Sequence, residues 1–213
     1  MSKPGTYDES ALSRLISELC EVCRLFGERQ WCLATSGNFS ARIDADRFLI
    51  TQSGRDKSAL TLDDLMICDM DGKPQIAHLR PSAETALHQC LYAHDENIGA
   101  VLHTHSVTAT ALSRRAAASL SISGYEMQKA FAGITSHETE ISVPVYENTQ
   151  DMPALAREVR AELQSNPPKV PAFLIRGHGL YAWGRNLAEA KRHTEGMEFL
   201  MACLLQDLAA GRP

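Results

Sequence analysis

Two histidines two residues apart close an apolar run in GAVLHTHSVTA (Gly99–Ala109). On an extended strand, side chains at i and i+2 share a face. His103 and His105 would therefore present paired imidazoles, with Thr104 facing away. Such an edge can hold a divalent metal, and it can equally be a polar strand end. His178 stands between two glycines in RGHG (Arg176–Gly179), where the backbone can turn tightly and approach closely. Three imidazoles leaving one position open form a donor set for catalytic zinc; the plainer alternative for His178 is an exposed loop side chain. For proton transfer the sequence offers Glu84, in RPSAE, and Glu126, in GYEMQK. A carboxylate beside a metal-polarised carbonyl can remove the α-proton. Spacing does not rank the two, and either can be a solvated helix carboxylate. His78, His88, His94, His137 and His193 read as surface, core-edge or interfacial side chains rather than ligands.

Small polar residues cluster at Ser36-Gly37-Asn38, at Thr51-Gln52-Ser53-Gly54 and at Ser82. Hydroxyls, amides and backbone N–H groups at strand ends and a helix start can cradle a phosphate. Singly each is an ordinary turn; jointly they flank one hairpin and one helix, so convergence on one pocket is expected. Lys129 and Arg80 could add charge.

These residues need elements to position them. A 3.6-residue apolar stripe through Leu12, Leu15, Ile16, Leu19, Cys20, Cys23 and Phe26 predicts a helix over 8–29. SGNFSARIDADRFLITQSG alternates about Asp44-Ala45-Asp46 and reads as a hairpin. A strand follows over 66–70, then a helix opened by Pro81 and Ser82 and running to about 94. The strand 97–103 carries the histidine pair, and SVTATALSRRA is helical. Short strands at 119–123 and 141–145 bracket a helix at 125–131. A helix after Pro153 stops at Asn166-Pro167-Pro168. PAFLIRGHGLYAWG is strand, turn, strand, and the last helix covers 187–208. Two hairpins interrupt a regular βαβ rhythm, which predicts α/β architecture with a mixed, largely antiparallel sheet flanked by helices.

The chain has 213 residues and net charge −5, with charges of both signs dispersed. One domain over 1–213 suffices for this length. No basic block appears, which argues against nucleic acid or an anionic membrane as main partner. The polar opening MSKPGTYDES lacks the apolar core of a secretion signal, and no run approaches the roughly 20 apolar residues that span a bilayer. A cytoplasmic protein is expected. Six cysteines at this length are no disulfide framework; the Cys20/Cys23 pair falls on helical periodicity and reads as two helix thiols rather than a zinc site. Neither GxGxxG nor GxxxxGK is present for a nucleotide.

TSGNFS at 35–40, TQSG at 51–54, RPSAE at 80–84, HTH at 103–105 and RGHG at 176–179 stand in the order seen in the class II aldolase/adducin family, which the chain resembles along nearly its whole length. Within that family, ITQSGRDKSAL, GYEMQKAF and FLIRGHGLYAWGRNLAEAKRHTEGMEFL resemble the branch that dehydrates sugar phosphates. The resemblance implies a three-layer α/β/α subunit, usually in a homotetramer with active sites near subunit contacts. It implies one zinc ion per subunit on His103, His105 and His178, and phosphate contacts from Ser36, Gly37, Asn38, Ser53, Gly54 and Ser82, helped by Lys129. Glu84 matches the acid/base of the sugar-phosphate aldolases and Glu126 that of the dehydratases. The expected division gives Glu126 the proton transfer and leaves Glu84 near the metal. The expected reaction is loss of water from a five-carbon ketose 1-phosphate with a methylthio group at C5, a methionine-salvage step. Phe131, Met127 and Tyr181 are candidates for its apolar slot. The rivals are a sugar-phosphate aldolase or epimerase, and an adducin-like interaction domain that has lost its chemistry.

Overall fold

The computed structural model describes residues 8–211. The opening MSKPGTY, on which the leader argument partly rests, and the final Arg212-Pro213 lie outside the described residues.

Asp8 caps the first helix, α1 (Glu9–Glu28), its carboxylate accepting the N–H groups of Ser10 and Ala11. One stripe of α1 buries Leu19, Val22, Cys23 and Phe26. All six cysteines are free, and the Cys20/Cys23 pair is half-buried and buried along this helix. The predicted hairpin is β1 (Asn38–Arg42) and β2 (Arg47–Thr51), followed by β3 (Leu65–Asp69). Then come α2 (Thr85–His94), β4 (Ala100–Thr104), α3 (Val107–Arg115), β5 (Ser119–Ile122) and β6 (Ile141–Tyr146). The chain finishes with α4 (Met152–Ser165), β7 (Ala172–Ile175), β8 (Gly179–Gly184) and α5 (Leu187–Ala209).

Among the described residues, eight strands form one sheet in the order β3-β2-β1-β4-β8-β7-β6-β5. Every pairing is antiparallel except β6 with β7. Helices α2 and α4 cover one face, packing Leu87, Leu91, Leu155 and Val159 on Phe48, Val101, Phe173 and Tyr181. Helices α1, α3 and α5 cover the other, against Phe39, Leu49, Leu102, Leu174 and Ala182. The result is a three-layer α/β/α fold around a mixed, mostly antiparallel sheet. Strand β4 lies mid-sheet and is buried along its whole length, so its side chains reach both helical layers by strict alternation.

Two elements differ from the sequence expectation. The helix opened by Pro81 starts only at Thr85, because residues 82–84 form a tight turn with the Thr85 N–H bonded to Ser82 O. Glu84 therefore occupies the cap position rather than the first helical turn. The segment 125–131 is a 3-10 turn, Glu126–Ala130, instead of an α-helix. It is bracketed by Gly124 and Gly133, both at positive φ. Among the described residues, no helix is long and apolar enough to cross a membrane.

Candidate metal centre and cleft

Register builds the centre. His103 on β4 pairs with Asn38 on β1 and with Tyr181 on β8, and Tyr181 pairs with Phe173 on β7. These four side chains form one row across four strands on the α2/α4 face. The Tyr181 ring lies stacked between the His103 imidazole at 3.9 Å and the Phe173 ring at 4.8 Å, which fixes the plane of the histidine. His103 Nδ1 lies 2.9 Å from the carbonyl of Leu180. As that bond's donor Nδ1 keeps the proton, leaving Nε2 as a lone pair aimed into the site.

One residue past the strand end, the His105 N–H bonds to Trp31 O at 2.7 Å. Thr104 faces α5, as alternation requires, and meets Glu198 there. Glu198 accepts from the Thr104 hydroxyl at 2.7 Å and from the Ser106 hydroxyl at 2.6 Å, gripping both neighbours of His105. His178 arrives on the β7–β8 turn. Gly177 has φ +64, and a Cβ on Gly179 would stand 2.0 Å from Thr104 O, so the flanking glycines let β8 close against β4. Arg176 anchors the same turn, donating to the carbonyls of Ser113, Ala116 and Ala117 at 2.7 Å each.

The three Nε2 atoms converge, with His103–His105 at 2.8 Å, His105–His178 at 3.1 Å and His103–His178 at 3.4 Å. A Glu84 oxygen stands 2.9 Å from His178 Nε2 and 3.6 Å from His103 Nε2. Three imidazole nitrogens and a carboxylate oxygen crowded in this way match the ligand set of a cation: tetrahedral ligands at zinc distances lie about 3.3 Å apart. The electrostatics agree with that reading. Burial, with His103 and His178 beside it, draws His105 down to about 3, which keeps it a neutral ligand. Burial raises the Glu84 carboxyl, but positive charge and hydrogen bonding at His103 and His178 outweigh it and hold Glu84 well below the usual carboxylate range; a bound cation would supply that positive charge with the imidazoles neutral. The four residues form a donor set suited to a divalent metal.

The set opens into a cleft of about 450 Å³. Its wall includes Ser36, Gly37, Asn38, Ser53, Gly54 and Ser82, so the structure brings six of the seven candidate phosphate residues, all but Lys129, to one place beside Glu84, His105 and His178. Sequence reasoning missed Lys57, Gln150 and Met152, which line the same cleft. Lys57 could have been noticed inside TQSGRDK; residues 150 and 152 come from the distant start of α4 and carry no local signal.

Other expected residues lie elsewhere. Glu126 and Lys129 pair with each other on an exposed turn packed on α5, with His137 at 3.6 Å from Glu126, and neither lines the cleft of its own chain. Arg80 is exposed and off the wall. None of the three apolar-slot candidates faces the cleft. Phe131 is buried under α5, Tyr181 is enclosed in its stack, and Met127 is half-exposed on the outer surface. The apolar atoms there belong instead to Ala34, Ala83 and Met152. His88, expected to face solvent or a core edge, is fully buried and bonded to Ser40 Oγ at 2.7 Å. Burial also encloses His193, whose Nδ1 meets Trp183 O at 2.7 Å.

Glu198 carries a pH prediction. Burial pushes its carboxyl from an ordinary 4.5 up to about 7, against the downward pull of Ser106 and Thr104. A carboxyl raised in the folded state stabilises it fully below the unfolded pKa, and that stability is lost as pH climbs through the folded pKa. Between pH 4.5 and 7.5 the group should therefore remove about 3 kcal/mol of stability. Denaturant melts at pH 5 and pH 8 should show this decline in the wild type and a flatter one in Glu198→Gln. Parallel slopes would remove Glu198 as the cause.

Comparison with known proteins places this geometry. A model described as "Class II Aldolase and Adducin N-terminal domain" matches residues 17–205. The methylthioribulose-1-phosphate dehydratase of Marinobacter nauticus is 47% identical over 208 residues, covering 97% of this chain and 100% of that protein. The protein of the same name from Xanthomonas campestris pv. campestris is 48% identical over 212 residues, 99% of this chain and 97% of its own. Among solved structures, L-fuculose-1-phosphate aldolase from Thermus thermophilus superposes with TM-score 0.75 at 28% identity, covering 94% of this chain and 98% of its own. With its donor cluster, its sheet order and a family match spanning nearly all its elements, the chain belongs to the class II aldolase/adducin family.

Proposed function

We propose that this chain is a dehydratase that converts 5-methylthioribulose 1-phosphate to 2,3-diketo-5-methylthiopentyl 1-phosphate in methionine salvage, with one zinc ion per subunit. The observation that carries the reading is the His103/His105/His178/Glu84 convergence at the mouth of a polar cleft, in a chain whose near-full-length relatives bear that enzyme's name. The whole of residues 1–213 acts as one domain, in a cytoplasmic homotetramer.

His103, His105 and His178 would hold the ion. When bound, zinc polarises the ketone and so acidifies the neighbouring C3–H. The protein's own groups do the rest. Ser36, Gly37, Asn38, Ser53, Gly54 and Ser82 take the C1 phosphate, which orients C3 and C4 toward the histidines. Glu126 accepts the C3 proton and returns it to the C4 hydroxyl as that group leaves, and the resulting enol tautomerises to the diketone. Glu126 and Lys129 stand off the cleft of their own subunit, so this role requires them to reach the cleft of a neighbouring copy. Ala34, Ala83 and Met152 offer the apolar atoms for the methylthio end.

One observation favours a second reading. Glu84 touches the ligand cluster directly, as the acid/base of an aldolase or epimerase would. Mass spectrometry of the product from 5-methylthioribulose 1-phosphate separates the two. The dehydratase yields a single product lighter by one water; a two- or three-carbon aldehyde, or a product of unchanged mass, overturns it.

A further inference from the structure

The wall of the cleft contains a lysine that side-chain type alone would place on the surface. Lys57 is 1% exposed, although lysine is almost never fully buried unless paired. It has no ion pair among the described residues. Its ammonium instead donates to Thr35 O at 3.0 Å and Arg55 O at 2.8 Å. Those carbonyls belong to the two loops that supply Ser36–Asn38 and Ser53–Gly54, so one cation ties both halves of the cradle together. An ammonium has three N–H donors, and these two bonds leave one over.

The loop it holds is under tension. Ala34 and Thr35 have φ +53 and +66, a left-handed backbone that costs a non-glycine residue roughly 1–2 kcal/mol. Strain of this kind persists where the surroundings over-determine it and gathers at ligand clamps. The Lys57 bond to Thr35 O is one such constraint. Among the described residues lining the cleft, Lys57 supplies the only lysine or arginine. Burial lowers its pKa, while Glu84 acts in the opposite direction; its charge is also felt at His105.

We propose that Lys57 is the charged anchor of the cradle, giving its third N–H to the dianionic phosphate of a monoester substrate. The buried ammonium that holds Thr35 and Arg55 then acquires the counter-ion the protein does not supply, and the six uncharged residues of the cradle are ordered around it. Lys129 is not needed for this purpose. The inference rests on the phosphate cradle of the proposed function, but not on the reaction that follows binding.

Inorganic phosphate is the probe. Calorimetric titration into the zinc-loaded protein should show phosphate affinity falling about 10- to 100-fold in Lys57→Met, the range for a hydrogen bond to a charged group. Lys57→Arg should stay within a few-fold of wild type, and zinc content should be equal in all three. KM for the sugar phosphate should rise in step with the phosphate dissociation constant. Lys57→Met binding phosphate as tightly as wild type overturns the proposal and leaves Lys57 a structural clamp. Should Lys57→Met not fold, a crystal of the wild-type protein grown with inorganic phosphate decides instead. A phosphate oxygen within about 2.7–3.2 Å of Nζ supports the proposal; a cleft without phosphate, or phosphate away from Nζ, ends it. Phosphate on Lys57 without turnover of 5-methylthioribulose 1-phosphate would sink the dehydratase reading alone.

Discussion

Replacing Glu126 by Gln should lower kcat by about 10²–10⁴-fold while the metal stays bound, because the change keeps the shape and removes the proton acceptor. The size follows from what general acid–base assistance contributes, and the retained metal follows from place. Glu126 is exposed and sits on its own surface turn with Lys129 and His137, away from the ligand nitrogens. Glu84→Gln should act differently. Its oxygen is 2.9 Å from His178 Nε2, so metal affinity should fall together with rate. Exchange of the C3 proton with deuterated solvent separates the roles. Normal exchange in the Glu126 variant, with exchange abolished and zinc retained in the Glu84 variant, hands the base to Glu84. A composite site makes a second demand. Mixed oligomers of Glu126→Gln and His178→Ala subunits should regain activity that neither parent has, since some clefts then combine an intact ligand set with an intact glutamate. No recovery would confine catalysis to one chain and exclude Glu126.

Stripping the metal, or replacing His103 by Ala, should abolish turnover by at least about 10³-fold and destabilise the fold. Polarisation of a carbonyl by a metal accounts for several kcal/mol of barrier, at about 1.4 kcal/mol per factor of ten. The stability effect is linkage: a ligand that binds only the folded chain at 1,000 times its dissociation constant adds about 4 kcal/mol. The crowded lone pairs strengthen the expectation, because without a cation three Nε2 atoms and an ionised Glu84 oxygen face one another in a largely buried space. Melting curves with and without chelator, followed by zinc add-back, test both parts. An apo-protein melting at the holo temperature would show that the cluster is not a metal site.

The fold was largely legible because its signals are local. The β1–β2 hairpin, the alternation through His103, Thr104 and His105, and the stripe of α1 each follow from neighbours in sequence. The helix before His94 began late because Ser82–Glu84 turn more tightly than a cap-and-proline pattern suggests. In the site, His103, His105, His178 and the small polar loops could be read from residue type and from family resemblance. Lys57 escaped because lysine is ordinarily solvated, and only the carbonyls of Thr35 and Arg55 explain its burial. His88 was misplaced because periodicity cannot tell a buried polar face from an exposed one. Phe131 and Tyr181 turn away from the cleft for a related reason: they satisfy their hydrophobicity inside the core, against α5 and between two rings, while Met127 lies on the same outer turn as Glu126. Glu126 lies off the cleft of its own chain, on an exposed turn with Lys129 and His137, a placement that nothing local in GYEMQK signals.

The candidate ligands His103, on β4, and His178, on the β7–β8 turn, lie 75 residues apart and meet only when β8 docks against β4. An ion held between them would work as a removable cross-link, closing a long loop at one point. Unfolding of the C-terminal strands would then have to wait for its release, so proteolysis of the 105–178 stretch should be governed by the metal's off-rate, while cleavage near α1 should not.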